Sequence, residues 1–251
     1  MKSPGRSCRP LLMLRKSVIS QPTHRSFRLR GHEVKRIEAF SDAVFAFAVT
    51  LLIVSLEVPR TFNELMVTVR GFAAFGLSFA LLANIWYDQN IFFRKYNLDD
   101  ITTVTLNCIL IFVVLFYVYP LKFLFTLMFN EPANLPPGTH VIVQKDVPLL
   151  MSIYSGGYIC IQLLFLLMHV HAYRKREQLE LNISEIFDTR TRILSNMILI
   201  AIGLLSIIAA QLLPVGNAGL SGMIYFLIAP VLLMFHGRRA RRRKALSHEG
   251  H

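Results

Sequence analysis

Six apolar stretches of about twenty residues each constrain this chain more than any other feature. Each could cross about 30 Å of hydrocarbon as an α-helix, and none shows the roughly ten-residue alternation of a transmembrane β-strand. Hydrophobic residues fill 54% of the 251 positions and charged residues only 17%, which excludes an ordinary soluble domain. The sequence therefore predicts an all-α polytopic membrane protein. Its six transmembrane helices are predicted at 38–58, 70–90, 101–128, 148–171, 191–213 and 218–236.

The Lys and Arg residues cluster at the ends of these spans, a pattern typical of membrane topology rather than of nucleic-acid binding. Ten of them lie in residues 1–36 and six follow residue 236, whereas the opposite loops carry few. By the positive-inside rule, both termini are predicted to be cytoplasmic. We predict a flexible basic tail over 1–35, a six-helix domain over 36–236 and a second basic tail over 237–251.

The basic tails allow more than one interpretation. An organellar targeting segment and an overlong start-site assignment are alternatives to a plain tail for residues 1–35. Clusters of Lys and Arg beside a span attract anionic lipid at about 1 kcal/mol per charge. Anionic lipids are therefore candidate partners of both tails, and a simple topology signal is the alternative.

A polar cluster leads directly into the first span. Arg36, Ser41 and Asp42 lie within seven residues of one another, ahead of an apolar run. A carboxylate at the centre of a membrane helix costs about 2.5–3.5 kcal/mol on insertion scales, so Asp42 indicates a functional site. The second span supplies Trp86 and Asp88 as candidate partners. Two interpretations stay open, namely a polar network that locks helices together and a group that handles ions.

A different face of the same helix has the character of a pore lining. At 100° per residue, one stripe holds Ala43, Phe47, Thr50, Val54 and Glu57. Repeated around an axis, it would present apolar rings, a hydroxyl ring and an outer carboxylate ring, the features by which pores gate by dewetting and concentrate cations. Ordinary helix packing is the alternative. Because one helix cannot enclose a channel, a pore of this kind requires several subunits.

The residues Arg36, Phe40-Ser41-Asp42 and Thr50-Leu51-Leu52 match a known signature. Over these positions the chain resembles the transmembrane protein 175 family, potassium channels of endolysosomes and of prokaryotes. The resemblance covers about 17 residues closely, and the six-span layout and Trp86 extend it loosely to most of the chain.

The resemblance implies a channel whose pore is lined by the first helix of each subunit, without a carbonyl selectivity filter. On the matching positions, the constriction falls on Phe47, the family's threonine on Thr50 and a second apolar ring on Val54. Glu57, at the outer mouth, is predicted from the helical stripe alone. Phe47 replaces the family's usual aliphatic residue. The resemblance also implies a homotetramer in a prokaryotic plasma membrane, with K⁺ as the permeant ion. H⁺ is a second candidate partner, because Asp42 and Asp88 can be protonated.

No motif in the sequence indicates an enzyme, a cofactor or a metal centre. His169 and His171 have a metal-like spacing, but no cysteine or carboxylate follows closely, so we interpret them as interfacial residues. Two other functions stay open. One is a proton-coupled secondary transporter that uses Asp42 and Asp88 as a protonatable pair, and the other is an accessory membrane subunit without transport activity.

Overall fold

Six α-helices run through the described part of the chain, which in this computed structural model comprises residues 27–31, 33–54, 61–129 and 144–248. A 3-10 turn, Gln144–Asp146, and a longer 3-10 segment, Val215–Leu227, accompany them. No β-strand occurs within these ranges, so the all-α prediction is confirmed. The helices are α1 Arg36–Val54, α2 Phe62–Tyr96, α3 Ile101–Phe129, α4 Val147–Arg174, α5 Ile183–Leu212 and α6 Ile228–His248.

Four helical stretches of the described residues are long and apolar enough to cross a membrane, which fits an integral membrane protein. They coincide with the third to sixth predicted spans. The first two predicted spans fall on α1 and α2, which are not among the four, so a six-span arrangement stays a prediction. The four stretches are Ile101–Phe125, Gln144–Arg174, Ile183–Leu212 and Gly216–Arg241.

The second helix is much longer than its predicted span of 70–90. At 1.5 Å per residue, the 35 residues of α2 extend about 52 Å, well beyond about 30 Å of hydrocarbon. The helix ends at Tyr96, where the following residue, Asn97, has a φ of 51° in the left-handed region. Lys35, directly before α1, donates from Nζ to the carbonyl of Asn97 at 2.7 Å. This bond joins the start of α1 to the end of α2.

Two of the predicted spans contain a proline, Pro120 and Pro230, and the two behave differently. A proline inside a helix favours a kink or local unwinding, but α3 continues as an α-helix through Pro120. The last span instead begins as the 3-10 segment and becomes α-helical at Ile228, just before Pro230. From there α6 runs on through the basic residues to His248, so the predicted C-terminal tail continues the last helix over its described part.

The main core lies among α1, α2, α3 and α4. Phe45, Phe92, Leu110 and Phe165 represent the four helices in one cluster of buried side chains. The most extensive helix pair is α4 with α5, and the 3-10 segment packs mainly on α5. Helix α1 contacts only α2 and α3 among the described helices. Among the described residues it therefore lies at one edge of the subunit, with one side packed and the other uncovered.

Candidate pore helix and the polar network behind it

The packed face of α1 is defined by small and apolar side chains at helical spacing. Phe45, Ala48 and Leu52 are buried in the main core. Glu38 and Ser41 extend the same buried stripe towards the start of the helix. These positions recur every three or four residues, as one face of an α-helix requires. This stripe attaches α1 to α2 and α3.

The predicted pore stripe lies on the opposite side of α1. At 100° per residue, Ala43, Phe47 and Thr50 lie about 170° from the centre of the buried stripe. All three are exposed, and the Phe47 side chain is 57% exposed although it is large and apolar. Helix packing was the alternative interpretation of this stripe, but within the described subunit a different face makes the packing contacts.

The hydroxyl on this stripe is already oriented by the helix. Thr50 Oγ1 donates to the carbonyl of Ala46 at 3.0 Å, so its oxygen lone pairs stay available on the exposed side. Val54 is the last residue of α1, and Glu57 lies outside the described residues. Near the same end, Lys122 of α3 donates from Nζ to the carbonyl of Leu52 at 3.2 Å. The ammonium group of Lys122 thus donates to a carbonyl in the last turn of α1, where a positive charge is favourable.

Behind the pore helix, three buried polar side chains form one hydrogen-bonded chain. Ser41 Oγ donates to the carbonyl of Ile37 at 2.8 Å and accepts from Asn107 Nδ2 of α3 at 2.8 Å. Asn107 Oδ1 in turn accepts from Gln89 Nε2 of α2 at 2.7 Å. Each of the three helices contributes one of these side chains, so the hydrogen bonds fix the relative positions of α1, α2 and α3.

Replacing Asn107 with leucine should destabilise the protein by about 1–3 kcal/mol, because the buried amide of Gln89 then loses its acceptor. Thermal or chemical unfolding in detergent measures the change. Ile109→Leu, at an exposed neighbouring position, serves as a control and should stay within about 0.5 kcal/mol. An Asn107→Leu protein as stable as the wild type would show that the network contributes no net stability.

The predicted acidic residues have separate partners. Asp42 accepts from Trp86 Nε1 of α2 at 2.7 Å. Asp88, two residues further along α2, lies 3.8 Å from Arg192 of α5. The structure thus brings Asp42 and Trp86 together and directs Asp88 to another helix. Their functional roles stay predictions.

The remaining motif residues lie at the surface of the described subunit. Arg36, the first residue of α1, is exposed. Phe40 is exposed as well, although it is large and apolar. The Phe-Ser-Asp motif therefore points three ways, because Phe40 faces outward, Ser41 faces α3 and Asp42 faces α2.

The two histidines noted in the sequence, His169 and His171, have different hydrogen-bond partners. His169 is buried, and its Nδ1 donates to the carbonyl of Phe165 at 2.8 Å. His171 binds Asp100, at the start of α3, with 2.8 Å between Nε2 and Oδ2. No group of three His, Cys, Asp or Glu side chains that could hold a metal ion occurs among the residues that the structure describes.

Asp100 is the centre of a small charged cluster at the junction of α3 and α4. Thr103 Oγ1 donates to it at 2.8 Å, and Lys175 Nζ lies 3.4 Å from it. Partial burial opposes ionisation, but the Thr103 hydrogen bond and the neighbouring His171 and Lys175 outweigh it and lower the pKa of Asp100 to about 2.

This cluster predicts an acid-sensitive contribution to stability. The pKa of Asp100 falls from an ordinary 3.8 to about 2 on folding, so its stabilising effect is complete above the unfolded value and disappears as the pH falls through the folded one. Between pH 5 and pH 2, Asp100→Asn should lose less stability than the wild type in unfolding measurements. Glu177→Gln, at an exposed site, is the control; equal slopes for Asp100→Asn and wild type would contradict the prediction.

Residues 27–31, at the end of the predicted basic tail, lie against α2 and α5. Arg30 contacts the buried Glu185 through both terminal nitrogens, at 2.7 and 3.2 Å. The backbone nitrogen of Arg28 donates to the same carboxylate at 2.9 Å. The backbone nitrogens of Arg30 and Gly31 donate to the carbonyl of Arg94 at 2.9 and 3.0 Å. A Cβ on Gly31 would lie only 3.1 Å from the Arg94 Cα, so this close approach favours glycine.

Sequence reasoning did not identify Asn107, Gln89, Glu185 or Arg192 as parts of these networks. The usable signal was a polar residue inside an apolar window, because membrane helices retain such residues mainly at helix contacts. Asn107 fits that pattern within the third predicted span. Its partners could not be deduced, since Ser41 and Asn107 are 66 positions apart.

Comparisons with known proteins identify the family. The family model described as "Endosomal/lysosomal potassium channel TMEM175" matches residues 36–117, which contain α1, the network behind it and the first half of α3. A protein of Marivirga tractuosa named "Potassium channel" is 41% identical over 224 residues, covering 84% of this chain and 89% of the relative. A potassium channel of Chamaesiphon minutus is 27% identical over 148 residues, covering 56% of this chain and 66% of that protein.

A solved structure is similar over nearly its whole length. It is the crystal structure of a threonine-to-alanine variant of the potassium channel MtTMEM175, in complex with a nanobody fusion protein. The TM-score is 0.74 at 40% identity, over 86% of this chain and 98% of that one. The family resemblance inferred from the motif around Asp42 is thereby confirmed, and the family consists of ion channels rather than enzymes. The chain belongs to the TMEM175 family of membrane proteins.

Proposed function

We propose that this chain is a potassium-permeable channel in which several copies of α1 surround one pore. The observation that carries the proposal is the uncovered stripe of Ala43, Phe47 and Thr50, opposite the face that packs on α2 and α3. Phe47 is large, apolar and 57% exposed in the single subunit, so it faces lipid, another subunit or a pore, and the Thr50 hydroxyl on the same stripe favours the pore. The relatives named as potassium channels support the same conclusion.

The stripe supplies the chemistry of a passive cation path. A ring of Phe47 side chains forms a narrow apolar constriction that admits or excludes water. The Thr50 oxygens replace part of the hydration shell of a passing ion, and Val54 adds a second apolar ring. Glu57, in a ring at the outer mouth, raises the local concentration of cations. The assembly is a homotetramer in a prokaryotic plasma membrane, as the family resemblance implies. Both termini lie in the cytoplasm, as the distribution of Lys and Arg favours.

The polar residues behind the stripe hold the pore helix rather than conduct. Asp42 is engaged by Trp86, and Ser41 is engaged by Asn107. A carrier that used Asp42 and Asp88 as one protonatable pair would place both carboxylates in one site, whereas each has its own partner on a different helix. These contacts favour a channel over a proton-coupled transporter.

Ion flux from liposomes tests the activity. Purified protein reconstituted with internal K⁺ should release it down its gradient without ATP and without a proton gradient, and protein-free liposomes should not. Single-channel recording should then give unitary currents. Flux that follows a proton gradient and stops on Asp42→Asn would overturn the proposal in favour of a carrier, and a silent protein that requires a partner would favour an accessory subunit.

Cysteine accessibility tests the location of the pore. After replacement of Cys8, Cys108 and Cys160, single cysteines are introduced as Thr50→Cys and Ala48→Cys. Thr50 lies on the exposed stripe and Ala48 is fully buried against α2 and α3. A water-soluble thiol reagent should block flux through Thr50→Cys and leave Ala48→Cys unchanged. Equal protection of both positions would exclude this stripe as the ion path.

A further inference from the structure

A small cavity lies between α2, α4 and α5, away from the uncovered stripe of α1. Its volume is about 20 Å³, above the ~10–15 Å³ that one water molecule requires. Polar and charged side chains from all three helices line it, which distinguishes it from the dry apolar voids of a hydrophobic core. Its lining includes Asp88 and Lys95 of α2, His169 of α4, and Arg192 and Asn196 of α5.

Asn196, which lines this cavity, has one buried polar atom without a partner within the described chain. Asn196 is only 8% exposed, and its Nδ2 is fully buried with no hydrogen-bond partner among the described residues. An amide N–H buried without an acceptor destabilises the folded state. Buried waters in globular proteins bind otherwise unsatisfied polar groups of this kind.

The other polar groups supply complementary contacts. His169 Nδ1 donates to the carbonyl of Phe165, so the Nε2 of the neutral ring can accept a hydrogen bond. The 3.8 Å between Asp88 and Arg192 exceeds hydrogen-bond distance, which is the spacing at which a water often bridges two groups. Donors and acceptors thus meet at one cavity, as a water molecule requires. A halide would face the Asp88 carboxylate, and a bare cation would face Arg192 and Lys95.

We propose that this cavity binds one ordered water molecule, which accepts from Asn196 Nδ2 and joins α5 to the polar groups of α2 and α4. The contact between α2 and α5 is therefore water-mediated where Asp88 and Asn196 line the cavity. Because Trp86 of α2 holds Asp42 of α1, the bound water helps to fix the helix against which the pore helix packs.

X-ray hydroxyl-radical labelling tests the proposal, since radicals formed from a bound water modify the side chains beside it. The chain offers matched pairs of buried phenylalanines. Phe92 and Phe93 are neighbours and each is 1% exposed, but only Phe92 lines the cavity. Phe165 lines it as well, whereas the similarly buried Phe45 does not. Phe92 and Phe165 should be labelled several-fold faster than Phe93 and Phe45 in the reconstituted wild-type protein.

Two further measurements separate a bound water from bulk solvent. After rapid mixing into H₂¹⁸O, the early label on Phe92 should still carry ¹⁶O, because a bound water exchanges slowly. Asn196→Leu, which fills the space and removes the donor, should reduce the labelling of Phe92 to that of Phe93. Equal labelling within both wild-type pairs, or immediate ¹⁸O incorporation at Phe92, would overturn the proposal even if the variant failed to fold.

Discussion

Replacing Phe47 with alanine is expected to raise K⁺ flux about tenfold, the increase that follows from a barrier lower by about 1.4 kcal/mol. The side chain is 57% exposed and makes no contribution to the buried core of the subunit. Its removal should therefore widen the apolar constriction and ease its hydration without weakening the fold. Flux from K⁺-loaded liposomes, normalised to folded protein, measures the effect.

Phe45→Ala is the matched control, because the same side chain is removed two residues away on the opposite face. Phe45 is 5% exposed and lies in the main core. Its loss leaves a cavity and should lower the melting temperature, since packing contacts hold membrane helices together. Flux per folded channel should change little. Loss of stability in Phe47→Ala with unchanged flux would mean that this side chain packs against protein and does not narrow a pore.

Arg30→Ala is expected to give the largest loss of stability, about 3 kcal/mol, because it breaks a partly buried ion pair and removes the cation beside a buried carboxylate. Glu185 is 1% exposed, and Arg30 reaches it with two nitrogens. Glu185 also completes a capping box at the start of α5, where Asn182 Oδ1 accepts from the Glu185 backbone at 2.8 Å and the Glu185 side chain accepts from the Asn182 backbone at 3.1 Å. Chemical unfolding of the purified protein measures the loss.

Arg28→Ala provides the control for charge and position. Arg28 contacts Glu185 only through its backbone nitrogen, so removal of its exposed side chain should change stability by less than about 0.5 kcal/mol. The stability loss of Arg30→Lys should lie between those of Arg28→Ala and Arg30→Ala, because lysine keeps the charge but cannot contact Glu185 with two nitrogens. If Arg28→Ala and Arg30→Ala were equally destabilised, the general charge of the segment would be responsible rather than this ion pair.

The positions of the later helices could be predicted from the sequence, because a span is signalled locally by length and apolar composition. The four stretches that qualify as spans in the described chain coincide with the third to sixth predicted ones. The family could be predicted for a similar reason, since its signature occupies consecutive residues from Arg36 to Leu52. The 3-10 conformation of Val215–Leu227 could not be predicted from the sequence, because no local feature separates this segment from an α-helix of the same composition.

The hydrogen-bond and ion-pair partners within the site could not be predicted from the sequence, for a different reason. Asp88 looked like a companion of Asp42, yet it pairs with Arg192, 104 positions away along the chain. Arg30 and Glu185 are 155 positions apart, and nothing in the basic segment marks Arg30 among its many neighbours of the same charge. Such pairs depend on which helices become adjacent, and that follows from packing of the whole chain.

The sequence by itself determined the class of this protein, an all-α membrane protein of one recognisable family, because hydrocarbon thickness and a contiguous motif act on local residues. The tertiary structure alone decided which face of α1 packs and which stays uncovered. Apolar residues surround most of that helix, so composition could not separate Phe45 from Phe47. Only contact with α2 and α3 buries the first and leaves the second exposed.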